Sequence, residues 1–231
     1  MPPTIAPLRF VAALVGAALV AALSTGCTSN SGSGGRRADQ IRAAARTAHV
    51  SDKVAEVLAL AARGASATFQ VTYEGTGGSS LTVSQQPPNH RIDVVTAGLL
   101  VQSQVVRGTV AYRCALPKDG HPGDHLRCTR AQGSLPGAGG FSAEALQTFT
   151  DELLASADQF ELSVERRTIA EVDATCLIAA PKAGTPIDPS GPGAETICLS
   201  PDGAQLLLDS GGQRAVASSY STTVPAGTFD V

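Results

Sequence analysis

Cysteine carries the covalent chemistry of this sequence, and its five copies divide four to one. Cys114, Cys128, Cys176 and Cys198 form an even set, which in an exported chain reads as two disulfides. Four cysteines allow three pairings, and local sequence predicts one of them. Tyr112-Arg113-Cys114 and Leu126-Arg127-Cys128 look like facing strands around a Pro/Gly/Asp/His loop. Thr175-Cys176-Leu177 and Ile197-Cys198-Leu199 do the same around a Pro/Gly-rich loop. The expected bridges are therefore Cys114–Cys128 and Cys176–Cys198, each closing a loop at a gain of about 3 kcal/mol. There is no Cys-x-x-Cys and no histidine flanks the pairs, so a thiolate metal site is not expected.

Other reactive types do not assemble into a catalytic pattern. Asp119, His121, Asp124 and His125 share a Gly/Pro loop inside the first expected bridge. Two imidazoles and a carboxylate can ligate a divalent ion, yet Gly and Pro spacing fixes no ligand geometry, and the cluster reads as a solvated hairpin tip. His49 lies between helical segments and His90 in a turn, both structural or exposed. Glu161, Glu165, Glu171 and Asp173 alternate with apolar residues and with Arg166-Arg167, which is how the solvent face of a strand looks. No Gly-x-Ser-x-Gly elbow, His-Glu-x-x-His or P-loop occurs. The chain is not expected to be an enzyme, and no metal or cofactor is expected.

The fifth cysteine, Cys27, ends the run Leu23-Ser24-Thr25-Gly26-Cys27. Before it stand one positive charge, Arg9, and an apolar stretch from Phe10 to Leu23. That stretch is shorter than the roughly 20 residues of a transmembrane helix, and its flanks are those of an export signal. The run resembles the lipobox of bacterial lipoprotein signals, which implies a diacylglycerol on the Cys27 thiol and cleavage before it. Residues 1–26 are thus the expected signal peptide and 27–37 a lipidated, Ser/Gly-rich flexible tether. Arg36 and Arg37 close the tether, where each can gain about 1 kcal/mol on anionic headgroups. The expected address is the extracytoplasmic face of the cell membrane, held by the lipid anchor.

With 17 basic and 20 acidic residues and no basic run, the chain is a poor nucleic-acid binder, and none is expected as partner. No Trp, three Tyr and six Phe leave no aromatic platform for bases or sugars. Ala, Gly, Val and Leu dominate the apolar set and Lys is scarce beside Arg, the bias of a GC-rich genome such as an actinobacterium's.

The elements follow from periodicity. Asp39 to Ala48 and Ser51 to Ala62 read as helices, with Ser51 as N-cap and Arg63-Gly64 as stop. The period then drops to two: Phe69, Val71 and Tyr73 alternate with polar residues. Strands follow around Leu81 and Val83, Arg91 to Val95, Leu99 to Val106 and Val110 to Cys114. A helix starts at Ser142, with Leu146, Phe149 and Leu153 as its apolar stripe and Phe141 as a staple against Leu146. Phe160, Leu162 and Val164 resume strand alternation, followed by Val172–Ala180, Thr196–Leu199, Gln205–Asp209 and Ala215–Val224. Short connections predict one curved meander from residues 38–231, a single domain.

The opening helix running into Thr68-Phe69-Gln70-Val71-Thr72-Tyr73 resembles the LolA/LolB-like lipoprotein-carrier superfamily. So do the turn Pro87-Pro88-Asn89-His90-Arg91-Ile92-Asp93 and the late turn Leu199-Ser200-Pro201-Asp202-Gly203. Actinobacterial lipoproteins of the LppX/LprG kind and RseB-like regulators share that fold. The resemblance implies an α+β architecture: a curved antiparallel sheet, an incomplete β-barrel, with N-terminal and inserted helices on its concave face. It also implies an apolar cavity that takes lipid or acyl chains. Alternation places Phe69, Val71, Tyr73, Val110, Tyr112, Phe160 and Leu162 together on the concave side. Val54, Leu58, Leu146, Phe149 and Leu153 of the helices need that side to bury their stripes. The expected function is therefore a membrane-anchored lipoprotein binding an apolar ligand in the half-barrel. The alternative is an envelope sensor, regulator or assembly protein that acts through a protein partner without lipid.

Overall fold

Among the described residues, three α-helices and eleven strands form in the order that the hydrophobic periods dictate. The computed structural model describes residues 33–117, 125–131, 141, 143–184, 194–210 and 213–231. Helices α1 (Ser33–Thr47) and α2 (Asp52–Gly64) lead into strands β1 (Phe69–Glu74), β2 (Ser80–Gln86), β3 (Asn89–Thr96), β4 (Leu99–Arg107), β5 (Val110–Ala115) and β6 (Arg127–Arg130). Helix α3 (Ala143–Ala155) is followed by β7 (Phe160–Ile169), β8 (Val172–Pro181), β9 (Glu195–Leu199), β10 (Gln205–Ser210) and β11 (Gln213–Ser221). All pairings are antiparallel, and the strands make one open sheet in the order β6-β5-β4-β3-β2-β1-β11-β10-β9-β8-β7. The expected α+β architecture, a curved antiparallel sheet with N-terminal and inserted helices, is the observed one.

The sheet consists of two meanders. Each grows from hairpins, β1 through β6 and β7 through β11, and the two join where β1 pairs with β11 (Val71 opposite Tyr220). The strands on either side of α3, β6 and β7, therefore end up at opposite edges.

The start of α2 obeys local chemistry. Ser51 caps α2, its side chain accepting from the Val54 N–H at 3.4 Å. On one side α2 buries Val54, Val57, Leu58 and Ala61, which pack with Leu146 and Leu153 of α3 and with Phe160, Leu177, Ile197 and Leu199 of the sheet. Helix α1 buries Ala38, Ile41 and Ala45, while Ala44 of the expected stripe is exposed. It begins at Ser33, well before the expected Asp39, so Ser33 to Gly35 are helical and Arg37 stands on a helix and not in a tether. The reason is nonlocal: α1 packs along α2, and that packing recruits residues of low intrinsic preference. Residues 1–26, the expected signal peptide, together with Cys27 and Thr28 to Gly32, lie outside the described residues.

The expected disulfides are present. Cys114 bonds Cys128 and Cys176 bonds Cys198, each pair directly opposite on adjacent strands with Cα atoms 3.9 Å apart. Residues paired across a ladder share a face, and neighbours along a strand do not. Val164, Leu177, Ile197 and Leu208 form one row against the helices, so the adjacent Cys176–Cys198 bridge lies on the sheet's other face.

The same parity argument corrects one expectation. Val71 pairs with Val83, Val83 with Ile92, Ile92 with Gln104 and Gln104 with Arg113. Arg113 thus shares the face of Val71, and Val110, Tyr112 and Cys114 belong to the opposite one. Val110 and Tyr112 do not join Phe69 and Tyr73 on the helix side. Alternation within β5 reveals two faces, but only its register against β4 decides which of them continues the face of Val71.

Candidate functional site

Small side chains decide where space remains between the helices. Gly34, Arg37 and Ile41 of α1, Ala61 and Ala62 of α2 with Ala65 just beyond it, and Leu146, Gln147 and Thr150 of α3 enclose a cleft of about 250 Å³. Alanines at 61, 62 and 65 stop short of the neighbouring helix, while Ile41 and Leu146 supply apolar walls. Thr150 is buried and donates its hydroxyl to the Leu146 carbonyl at 2.8 Å, so its polarity is spent inside α3. Arg37 is the charged residue of the lining. Its Nη2 donates to both carboxylate oxygens of Asp151, at 2.6 and 2.8 Å, tying α1 to α3. Its Nε is buried and has no hydrogen-bond partner.

Ala65 and Leu146 also border a second, far smaller space of about 10 Å³, between the end of α2 and the sheet. Phe69, Tyr73 and Val83 face it from β1 and β2, and Phe141 closes it, its ring centroid 4.5 Å from that of Tyr73. The Tyr73 hydroxyl donates to the Gln205 carbonyl, and burial pushes its phenol well above the ordinary value. Gln85 Nε2 donates to the carbonyls of Gly64 and Ala67, at 2.7 and 2.9 Å. The side-chain amide of Gln205 is buried with neither end bonded, and a space of this size is about that of one water.

Most expected cavity residues are core. Val54, Leu58, Leu153 and Phe160 pack into one apolar cluster, with Phe149 and Leu162 against it. Phe69, Val71 and Tyr73 belong to a second cluster, and Val110 and Tyr112 to neither. Leu146 alone of the expected set lines the larger cleft. Phe141, the expected staple, rests on Tyr73. Sequence reasoning passed over Arg37, Ala61, Ala62 and Ala65 as wall residues. The available signal was the run Ala61-Ala62 followed by Ala65, too small to fill a helix junction.

The remaining polar candidates do not converge. Glu161, Glu165, Glu171 and Asp173 are exposed, with Glu165 paired to Arg167. Asp119, His121 and Asp124 lie outside the described residues, and His125 is exposed. Among the described residues no group of three His, Cys, Asp or Glu could hold a metal ion, and no helix is long and apolar enough to cross a membrane.

No protein-family model matches the chain, and no curated protein does. Among solved structures, an uncharacterized conserved protein from Thermus thermophilus aligns with 73% of this chain and 86% of its own, at 15% identity and a TM-score of 0.39.

Proposed function

We propose that the protein is an extracytoplasmic lipoprotein, anchored through Cys27, that holds an apolar chain in the cleft among α1, α2 and α3. The observation that carries the reading is the cleft itself: about 250 Å³ walled by Ile41, Ala61, Ala62, Ala65 and Leu146. Small-ligand sites begin at about 300 Å³, so one short chain, or the end of a longer one, is what it takes. The two buried disulfide partners Cys176 and Cys198 suit an oxidising compartment. The site needs no reacting group, and the role is binding, not catalysis.

A fluorescent medium-chain acyl probe tests the cleft. Wild type takes up the probe, and Ala62→Phe, which fills the cleft from α2, abolishes uptake while the folded spectrum persists. Cys27→Ala ends acyl incorporation and releases the protein from membranes. Uptake that is absent in wild type, or unchanged in Ala62→Phe, overturns the reading. A second reading, an envelope protein that acts by protein contact without lipid, draws on the sheet side of the helices. There Phe69, Tyr73, Val83 and Phe141 leave only about 10 Å³, room for about one water and none for an acyl chain.

A further inference from the structure

We infer that the ligand of the cleft carries an anionic head, a carboxylate or a phosphate, and that Arg37 binds it. The inference rests on the cleft being a binding site for an apolar chain and names the chemistry at that chain's end. A guanidinium presents five N–H donors in a planar fork and is always charged. In Arg37 the Nη2 group is occupied by Asp151, while the Nε–H is buried without an acceptor. A buried donor left without an acceptor is costly, the more so when charged. An acceptor carried by the ligand removes that cost.

What fills it is constrained by the walls. The other lining residues are glycine, alanine, isoleucine, leucine, glutamine and threonine, with no carboxylate among them. Gln147 and Thr150 carry neutral acceptor oxygens, yet neither bonds Nε, so the position is open to an anionic acceptor that arrives with the ligand. A carboxylate or phosphate offers two oxygens in the plane of the fork, and such charge-assisted pairs are roughly twice as strong as neutral ones. Asp151 does not stand in the way. Its side chain is 54% exposed, and surface ion pairs are weak, so it can share the guanidinium or yield it. The apolar chain lies against Ile41, Ala61, Ala62 and Leu146 while the head stays at the Arg37 end, within reach of water.

Three probes of equal chain length separate the possibilities: decanoate, decyl phosphate and decanol, each below its micellar concentration. Wild type is expected to bind at least one anion about tenfold or more tighter than decanol, the margin of one charge-assisted pair. Which anion leads tells a fatty acid from a phospholipid as the source. Arg37→Gln is expected to erase that preference, so that both anions bind this variant no tighter than decanol does. Asp151→Asn removes the same surface ion pair and so controls for stability: it keeps the preference, or strengthens it. Equal binding of all three probes by wild type overturns the anionic head while the apolar cleft stands. Loss of preference in both variants also overturns it, since the ion pair then matters and not the guanidinium. No binding of any probe defeats the cleft reading itself.

Discussion

Glu195 opens β9 half-buried, its Oε1 accepting from the Ser210 hydroxyl at 2.7 Å. Burial pushes its carboxyl above the ordinary value of 4.5, the Ser210 hydrogen bond pulls it partly back, and the charge of Glu152 adds to the rise. The sign of the effect on stability follows. Below the ordinary value both folded and unfolded chains hold the proton and nothing is lost. As pH rises from 4.5 toward the raised native value, the unfolded chain releases its proton first, and stability falls. Glu195→Gln keeps the oxygen that Ser210 needs and removes the titration. The expected result is that urea midpoints of wild type fall relative to Glu195→Gln between about pH 4 and neutrality; parallel curves over that range would refute it. Glu56 works in the other direction. The Arg42 guanidinium, at 2.6 Å, holds its carboxyl below 4.5, so its small contribution is present above 4.5 and fades as pH falls. That pair is solvent-exposed, and little stability rests on it.

The end of α2 and the turn between β9 and β10 meet backbone to backbone at Gly64 and Gly203. A Cβ on Gly64 would stand 2.2 Å from the Gly203 carbonyl oxygen, and one on Gly203 would stand 2.3 Å from that of Leu60. Gly203 also has φ of +85°, in the left-handed region. Its turn is held by the Gly203 N–H on the Ser200 carbonyl at 2.9 Å and by the Ala204 N–H on Ser200 Oγ at 3.0 Å. Ala at either glycine forces backbone apart, and a destabilisation of at least about 2 kcal/mol is expected in urea unfolding. Gly77 separates the two causes: its φ is +69° but a Cβ there meets nothing within 4 Å. Gly77→Ala should therefore lose only the conformational part, about 1 kcal/mol. Equal losses at positions 64 and 77 would remove the steric argument.

The two disulfides staple the two meanders separately, and neither crosses the β1–β11 seam. Each closes a hairpin, of 14 and 22 residues' separation, so chain entropy makes them of similar worth, about 3 kcal/mol each. Their accessibility differs. Cys176 and Cys198 are both fully buried within the sheet, whereas Cys128 is exposed on the edge strand β6. Mild reductant acting on the folded protein should open Cys114–Cys128 first, read by mass spectrometry after thiol trapping, with Cys176–Cys198 surviving until unfolding. Simultaneous loss of both would mean that the seam opens before either bridge is attacked.

What could be read without coordinates is what depends on neighbours in sequence. Alternation at Phe69, Val71 and Tyr73, the Ser51 cap, the Pro201-Asp202-Gly203 turn and the pairing of each cysteine with the one across its own hairpin all depend on local spacing. What needed the tertiary structure depends on residues far apart. Val71 opposite Tyr220 joins the two halves, and no local pattern specifies that partner. Tyr112 lies on the face opposite Val71 because its register against Val105 sets it there, and parity is a property of a pair of strands. Arg37 changed from a tether residue to the charged wall of a cleft because α1 extends along α2 and meets Asp151 of α3. A cleft is the space that packing fails to fill, and residues such as Ala61 and Ala62 reveal it only once their neighbours are known.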